Sequence, residues 1–225
     1  MNSVKSQIEP VSKKTFLERI PFFQAALIIL IISAAVLTFF AKQYPYFPFD
    51  LWITRKIQLF NPPWYGHIMV FISEIGEKFW GSLLIVLFAS LAIYLKKIKA
   101  AIMIIISSFG ITIFGMGLKE LVGRPRPDPH IITQIGTYLS LDSFPSGHVL
   151  YAMGLYGFLL FLVFSQFKKT ILRYILLLLI ILILILMGVS RIYLGAHWFS
   201  DVLGSYLMGL LWLLLMVHLY KIVVK

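Results

Sequence analysis

Six apolar runs divide the chain, at 22–41, 79–95, 100–118, 149–166, 174–189 and 202–217. Each approaches the roughly 20 residues that a helix needs to cross the hydrocarbon of a bilayer. The pattern predicts an all-α integral membrane protein built as a six-transmembrane-helix bundle. The second run could reach back to Ile68. Glu74, Glu77 and Lys78 would then sit at membrane depth, which is costly, so these three are placed at the interface or facing the bundle. The expected organisation is a cytoplasmic N-terminal segment, 1–21, followed by one six-span membrane domain, 22–225. The spans use over half the chain and leave no room for a separate soluble domain. There is no internal repeat.

Composition strengthens this picture. Of 225 residues, 60% are hydrophobic and only 13% charged, about half the roughly 25% of an ordinary soluble domain. The mean hydropathy is +0.92. A soluble globule of this size exposes too much surface to hide so much apolar area, and a disordered chain would be far more polar. The absence of Cys excludes disulfides, thiolate zinc sites and Cys nucleophiles. The first run is longer than the 7–15 residues of a signal-peptide core, which favours a retained first helix.

The net charge of +11 would suggest nucleic acid in a soluble protein. In a membrane protein it is read by position. Lys5, Lys13, Lys14, Arg19, Lys96, Lys97, Lys99, Lys168, Lys169, Arg173, Lys221 and Lys225 fall on one side. The other side has Lys42, Arg55, Lys56, Lys78, Lys119, Arg124, Arg126 and Arg191. The excess places both termini in the cytoplasm and the links after spans 1, 3 and 5 outside. It leaves no case for a nucleic-acid partner.

Ionisable residues at membrane edges are functional candidates, and here they gather in three segments. The first runs from Lys119 to Pro127, where span 3 ends. The second, Ser143 to His148, opens span 4. The third holds Ser190, Arg191, His197 and Asp201, between spans 5 and 6. Spans 3 and 5 exit on the side where span 4 enters, so all three segments share one membrane face at headgroup level. Lys119, Arg126 and Arg191 put three cations at a low-dielectric edge, where they need acids or an anionic ligand. Pro125 and Pro127 bias Arg124 and Arg126 toward extended backbone. Ser146 and Gly147 open span 4, where the free N–H groups of a helix start favour an anion. His197 and Asp201 are four apart and would share a helical face. A carboxylate there can hold one imidazole nitrogen and leave the other free as a nucleophile. With His148 as a second imidazole, the set suits phosphoryl transfer.

These residues match a known pattern: Lys, six residues, Arg-Pro (Lys119 to Pro127); Pro-Ser-Gly-His (Pro145 to His148); and Ser-Arg, five residues, His, three residues, Asp (Ser190 to Asp201). The chain resembles the type 2 phosphatidic acid phosphatase superfamily, the integral-membrane lipid phosphatases. The resemblance implies that His197 attacks phosphorus to form a phosphohistidine and that Asp201 orients it. His148 would protonate the leaving oxygen and then activate water. Lys119, Arg126, Ser146, Gly147 and Arg191 would bind the phosphoryl oxygens. The family needs no metal or other cofactor, and the sequence has no carboxylate cluster that would require one.

Other residues are less specific. Arg124 suits either a phosphate contact or an ion pair with Glu120 or Asp128. His67, His130 and His218 are read as interface or loop residues. Trp52, Trp64, Trp80 and Trp198 are read as an outer aromatic belt, with Trp198 also able to shape a pocket, and Trp212 as lipid-facing or packed. Gly110, Gly115, Gly117 and the Ser205–Gly209 spacing would permit close helix packing. Residues 47–60 look like an amphipathic interfacial stretch, and Glu74, Glu77 and Lys78 are candidates to border a pocket.

The expected partner is a membrane lipid in the bilayer, whose phosphate arrives at headgroup depth; oligomeric state is not legible. Undecaprenyl diphosphate is slightly favoured as substrate because an outward site suits it. Phosphatidylglycerophosphate and phosphatidic acid are the alternatives, since the motifs see phosphate and not the tail. A lipid phosphotransferase would use the same phosphohistidine. A haloperoxidase of the wider superfamily would be soluble. A transporter would carry its polar site near the bilayer midplane.

Overall fold

The computed structural model describes residues 19–136 and 142–224, apart from the side chains at 19, 20 and 78. Most of the N-terminal segment assigned to 1–21 therefore lies outside the described residues, as does the Lys78 side chain. The described chain is helical, with a single isolated β-bridge between Pro125 and Asp142. Its helices are α1 (Arg19–Gln43), α2 (Pro48–Leu59), α3 (Pro63–Glu74), α4 (Lys78–Tyr94) and α5 (Ile98–Val122). They continue with α6 (Gly147–Gln166), α7 (Ile171–Tyr193) and α8 (Phe199–Val224).

Five of these, α1, α5, α6, α7 and α8, are long and apolar enough to cross a membrane. The second run behaves differently. α4 alone has 17 residues, about 26 Å at 1.5 Å per residue, short of the roughly 30 Å of hydrocarbon. A sixth crossing exists if α3 and Phe79–Tyr94 act together as one span bent by 62°. Glu74 and Glu77 lie at that bend. Two carboxylates cannot run through hydrocarbon cheaply, and the break brings one of them, Glu77, to the His148 side chain.

α5, α6 and α8 form the centre, with α7 closing it and α1 packed outside on α8. α6 is mostly buried and α1 hardly at all. The α1 side chains Phe22, Ile29 and Phe39 are exposed on the bundle surface, the area a bilayer would cover. Small residues set the central spacing. A Cβ at Gly110 would stand 2.6 Å from Trp212, one at Gly115 2.5 Å from Leu150, and one at Gly209 2.5 Å from Met153. Gly117 departs from the expectation, because a Cβ there would meet nothing within 4 Å among the described residues. Trp212 is packed, donating from its indole to the Ser107 carbonyl at 3.0 Å. Inside α6 the residues Met153–Gly157 form one π-helical turn, and the Ser107 hydroxyl satisfies the Gly154 carbonyl at 2.7 Å. Such turns shift the register of a helix, here one turn beyond His148.

The same-face expectation holds. The C-terminal ends of α5 and α7 and the N-terminal ends of α6 and α8 meet through the hydrogen bonds that follow.

Candidate active site

Each motif is shaped locally before it is assembled. α5 ends on Gly123 in a left-handed conformation, φ +63°, which turns the chain into Arg124-Pro125-Arg126-Pro127. That stretch pairs with the strand-like approach to α6, where the Ser143 N–H donates to the Arg124 carbonyl at 2.7 Å. After α7, the N–H groups of Ala196 and His197 both donate to the Arg191 carbonyl, at 3.0 and 3.2 Å. The turn passes through Gly195 at φ +67°, where a Cβ would lie 2.3 Å from the Thr133 carbonyl. Only glycine fits both demands. His197 is thus pinned in a tight turn before α8, not on the helix itself.

The residues of all three motifs converge there. His197 is 1% exposed. Its Nδ1 faces Asp201 Oδ2 at 3.7 Å and Ser143 Oγ at 3.4 Å. Ser143 in turn donates to Asp201 Oδ2 at 2.5 Å, so it bridges imidazole and carboxylate at a distance too long for a direct bond. Asp201 Oδ2 also accepts from the Trp198 N–H at 2.8 Å, as a carboxylate does near a helix start. On the other side of the ring, Arg126 Nη1 lies 3.5 Å from His197 Nε2 and donates to the Ala196 carbonyl at 2.6 Å. A guanidinium only donates, so the Nε2 lone pair points at the cation and the Nδ1 proton at Ser143 and Asp201. Burial, then the charges of Arg126, Lys119 and Arg191 and the neighbouring His148, hold the His197 pKa well below 6.5. The ring is therefore neutral at physiological pH and able to act as a nucleophile.

Lys119 donates to the Asp142 carbonyl at 2.7 Å. Arg191, on the last turn of α7, donates to the Ser73 hydroxyl of α3. Ser146 donates its N–H to Ser205 Oγ at 2.7 Å, while its own hydroxyl is buried without a hydrogen-bond partner among the described residues. A Cβ at Gly147 would meet nothing within 4 Å among the described residues. The start of α6 therefore has space beside Gly147 and a buried hydroxyl donor next to it, features that suit an anion. His148 sits at the edge. Its Nε2 is 3.2 Å from Glu77 Oε1 at the α3–α4 bend, with side-chain exposures of 18% and 55%.

Several site neighbours have no definite role from sequence alone, although Glu77 is a candidate there to border a pocket. Arg124 is buried and binds Asp201 Oδ1 at 2.5 Å and Asp50 Oδ2 at 3.1 Å. Neither Glu120 nor Asp128 takes that place, and a guanidinium side chain of 0% exposure has no face open to a phosphate. Asp50 and Thr54 are buried, so the 47–60 stretch turns one polar face into the protein. Ser73 and Glu77 reach Arg191 and His148 from 118 and 71 positions away. No local spacing announces such contacts. The one available signal was scarcity, since the chain has nine acids. Trp198 is 1% exposed and packs at a tilt against Tyr46, ring centroids 5.0 Å apart, whereas Trp52, Trp64 and Trp80 are on the surface. With Tyr46, Arg126 and Asp128, Trp198 lines a cavity of 990 Å³. His67, His130 and His218 are exposed and away from these contacts.

A membrane bundle whose helix ends deliver two imidazoles, a carboxylate and several cations to one face is a phosphoryl-transfer enzyme of the kind the motifs resemble. Residues 96–224 match the PAP2 superfamily model, and the chain belongs to that family as a membrane lipid phosphatase. It is 30% identical to phosphatidylglycerophosphatase B of Bacillus subtilis, over 82% of this chain and 87% of that protein. The crystal structure of a transmembrane PAP2-type phosphatidylglycerolphosphate phosphatase from Bacillus subtilis superposes with a TM-score of 0.72 at 27% identity. That match covers 87% of this chain and 96% of the other. The Aquifex aeolicus LpxE structure shares the fold, with a TM-score of 0.59 at 23% identity over 76% and 96% of the two chains.

Proposed function

We propose that this enzyme removes the terminal phosphate of phosphatidylglycerophosphate, using one membrane domain, 22–225, with a cytoplasmic segment, 1–21, before it. The observation that carries this choice over undecaprenyl diphosphate is similarity along most of both chains to the Bacillus phosphatase. The motif residues alone do not distinguish the two lipids. The outward position of the site and the cytoplasmic termini rest on the distribution of Lys and Arg.

The geometry supports the following chemistry. Lys119, Arg126, Arg191, the Ser146 hydroxyl and the backbone at Gly147 bind the phosphoryl oxygens and stabilise their charge in the transition state. His197 Nε2 attacks phosphorus, and the bond from phosphorus to the lipid oxygen breaks. Protonated His148 gives its proton to that oxygen. Asp201, through Ser143, stabilises the positive charge that develops on His197. Neutral His148 then takes a proton from water as its oxygen attacks phosphorus. The N–P bond breaks, phosphate leaves, and both imidazoles return to their starting states.

The test is phosphate release by purified enzyme from phosphatidylglycerophosphate, undecaprenyl diphosphate and phosphatidic acid in mixed micelles, with and without EDTA. The expected result is the highest kcat/KM on phosphatidylglycerophosphate, unchanged by chelation. A clear preference for the diphosphate restores the first substrate expectation. Loss of activity in EDTA removes the metal-free scheme. Reporter fusions at Asp128 and Lys168 should report opposite sides of the membrane.

A further inference from the structure

Asp50 is a fully buried acid with no part in the chemistry above. It lies in the first turn of α2, and its carboxylate takes four donors. Oδ2 accepts from the Phe47 N–H at 3.0 Å, Arg124 Nη2 at 3.1 Å and the Ser200 hydroxyl at 2.7 Å. Oδ1 accepts from the Ser200 N–H at 2.7 Å. Arg124 is equally committed. Its Nε donates to the Tyr44 carbonyl at 3.1 Å, its Nη1 donates to Ser200 Oγ at 2.7 Å and to Asp201 Oδ1, and the Phe47 ring covers its face at 5.0 Å. The guanidinium has side-chain exposure of 0%, so it cannot meet a substrate directly.

The signs of the charges give this arrangement its meaning. Asp201 must face His197 as a full negative charge if it is to stabilise the imidazolium character that grows during attack. Arg124 fixes Asp201 by the oxygen that does not face His197, but a lone buried cation there would cancel the field of Asp201. Asp50 neutralises Arg124 and leaves one net negative charge behind the nucleophile. Resting on the His197 chemistry proposed above, we infer that Asp50 and Arg124 are positioning residues that hold Asp201 in place while preserving its charge toward His197.

The other groups acting on His197 are Arg126, Lys119, Arg191 and His148, and all stay unchanged in the test. Asp50→Asn keeps the shape and removes the balancing charge. Arg124→Met removes the cation and its grip. Each should lower kcat about tenfold or more with KM within about twofold, because neither residue touches substrate. The pH profiles should separate them. Asp50→Asn leaves excess positive charge and moves the acid limb of kcat/KM to lower pH. Arg124→Met leaves excess negative charge and moves it to higher pH. A purely structural knot predicts no opposed shifts.

The measurement is steady-state kinetics on phosphatidylglycerophosphate across pH, with folding checked by thermal melting in detergent and His197→Ala run alongside. Opposed limb shifts with lowered kcat support the inference. Wild-type kcat in either variant, or limbs that move together or stay fixed, overturns it. Activity surviving in His197→Ala defeats the underlying reading instead. If Asp50→Asn does not fold, Ser200→Ala removes only the hydroxyl between the two ions. It should reduce kcat about threefold, and an unchanged kcat there overturns the inference.

Discussion

The two imidazoles occupy contrasting surroundings. His197 is buried in a glycine-dependent turn, with Ser143 and Asp201 on one nitrogen and Arg126 on the other. His148 lies on the first turn of a span, partly exposed, with the half-exposed Glu77 carboxylate against its Nε2. A nucleophile benefits from a fixed tautomer and a fixed line of attack, which burial and several partners supply. An acid–base group must pass its proton to a leaving oxygen and recover one from water, so a position at the mouth suits it. The difference in burial maps onto the difference in proposed role.

The largest effect that would break this comparison is expected at His197. His197→Ala should lower kcat on the order of 10⁴-fold or more, as for residues that act as a unit. Acid-labile phosphate should be trapped on the wild type and absent from this variant. Equal labelling of both would assign the nucleophile elsewhere.

His148→Ala should cost about 10²- to 10⁴-fold with a lipid substrate, the range for a lost acid–base group. An aryl phosphate with an acidic leaving group should restore phosphoenzyme formation in this variant but not its hydrolysis, so labelled protein accumulates. Failure to accumulate it would mean that His148 does more than move protons.

The pH dependence sharpens the contrast. Burial and three cations hold His197 neutral well below 6.5. A group with a lowered pKa keeps its neutral form until the pH falls through that lower value. The acid limb of kcat/KM, corrected for ionisation of the phosphate itself, should therefore lie below 6.5. A limb at or above 6.5 would show that the nucleophile is not shielded as the geometry implies.

Smaller effects are expected from the supporting residues. Ser143→Ala removes the bridge between His197 and Asp201 and should lower kcat about tenfold, the value of one well-placed hydrogen bond. Glu77→Gln should change kcat only about two- to fivefold, because an exposed ion pair contributes little. If Glu77→Gln proved more damaging than Ser143→Ala, the ranking of the two sides would be reversed.

Residue spacing made much of this legible. The apolar runs placed α1, α5, α6, α7 and α8, because span length is fixed by bilayer thickness. The parity of crossings put three motifs on one face before any contact was known. The α3–α4 bend was only half visible, as a tension between an apolar run and the charges Glu74 and Glu77. Gly117 looked like a packing glycine and is not, because spacing along one helix does not say which neighbour faces it.

By itself the sequence determined the membrane class, the number of apolar runs and the family motifs, and it singled out His197, His148 and Asp201 for the chemistry proposed, because these depend on local composition and spacing. Tertiary structure decided which groups complete the site. Asp50 meets Arg124 across 74 positions and Arg124 meets Asp201 across 77, while Ser73 and Glu77 arrive from a bend. Buried charges must find partners wherever the fold brings them, and that requirement leaves no periodic trace in the chain.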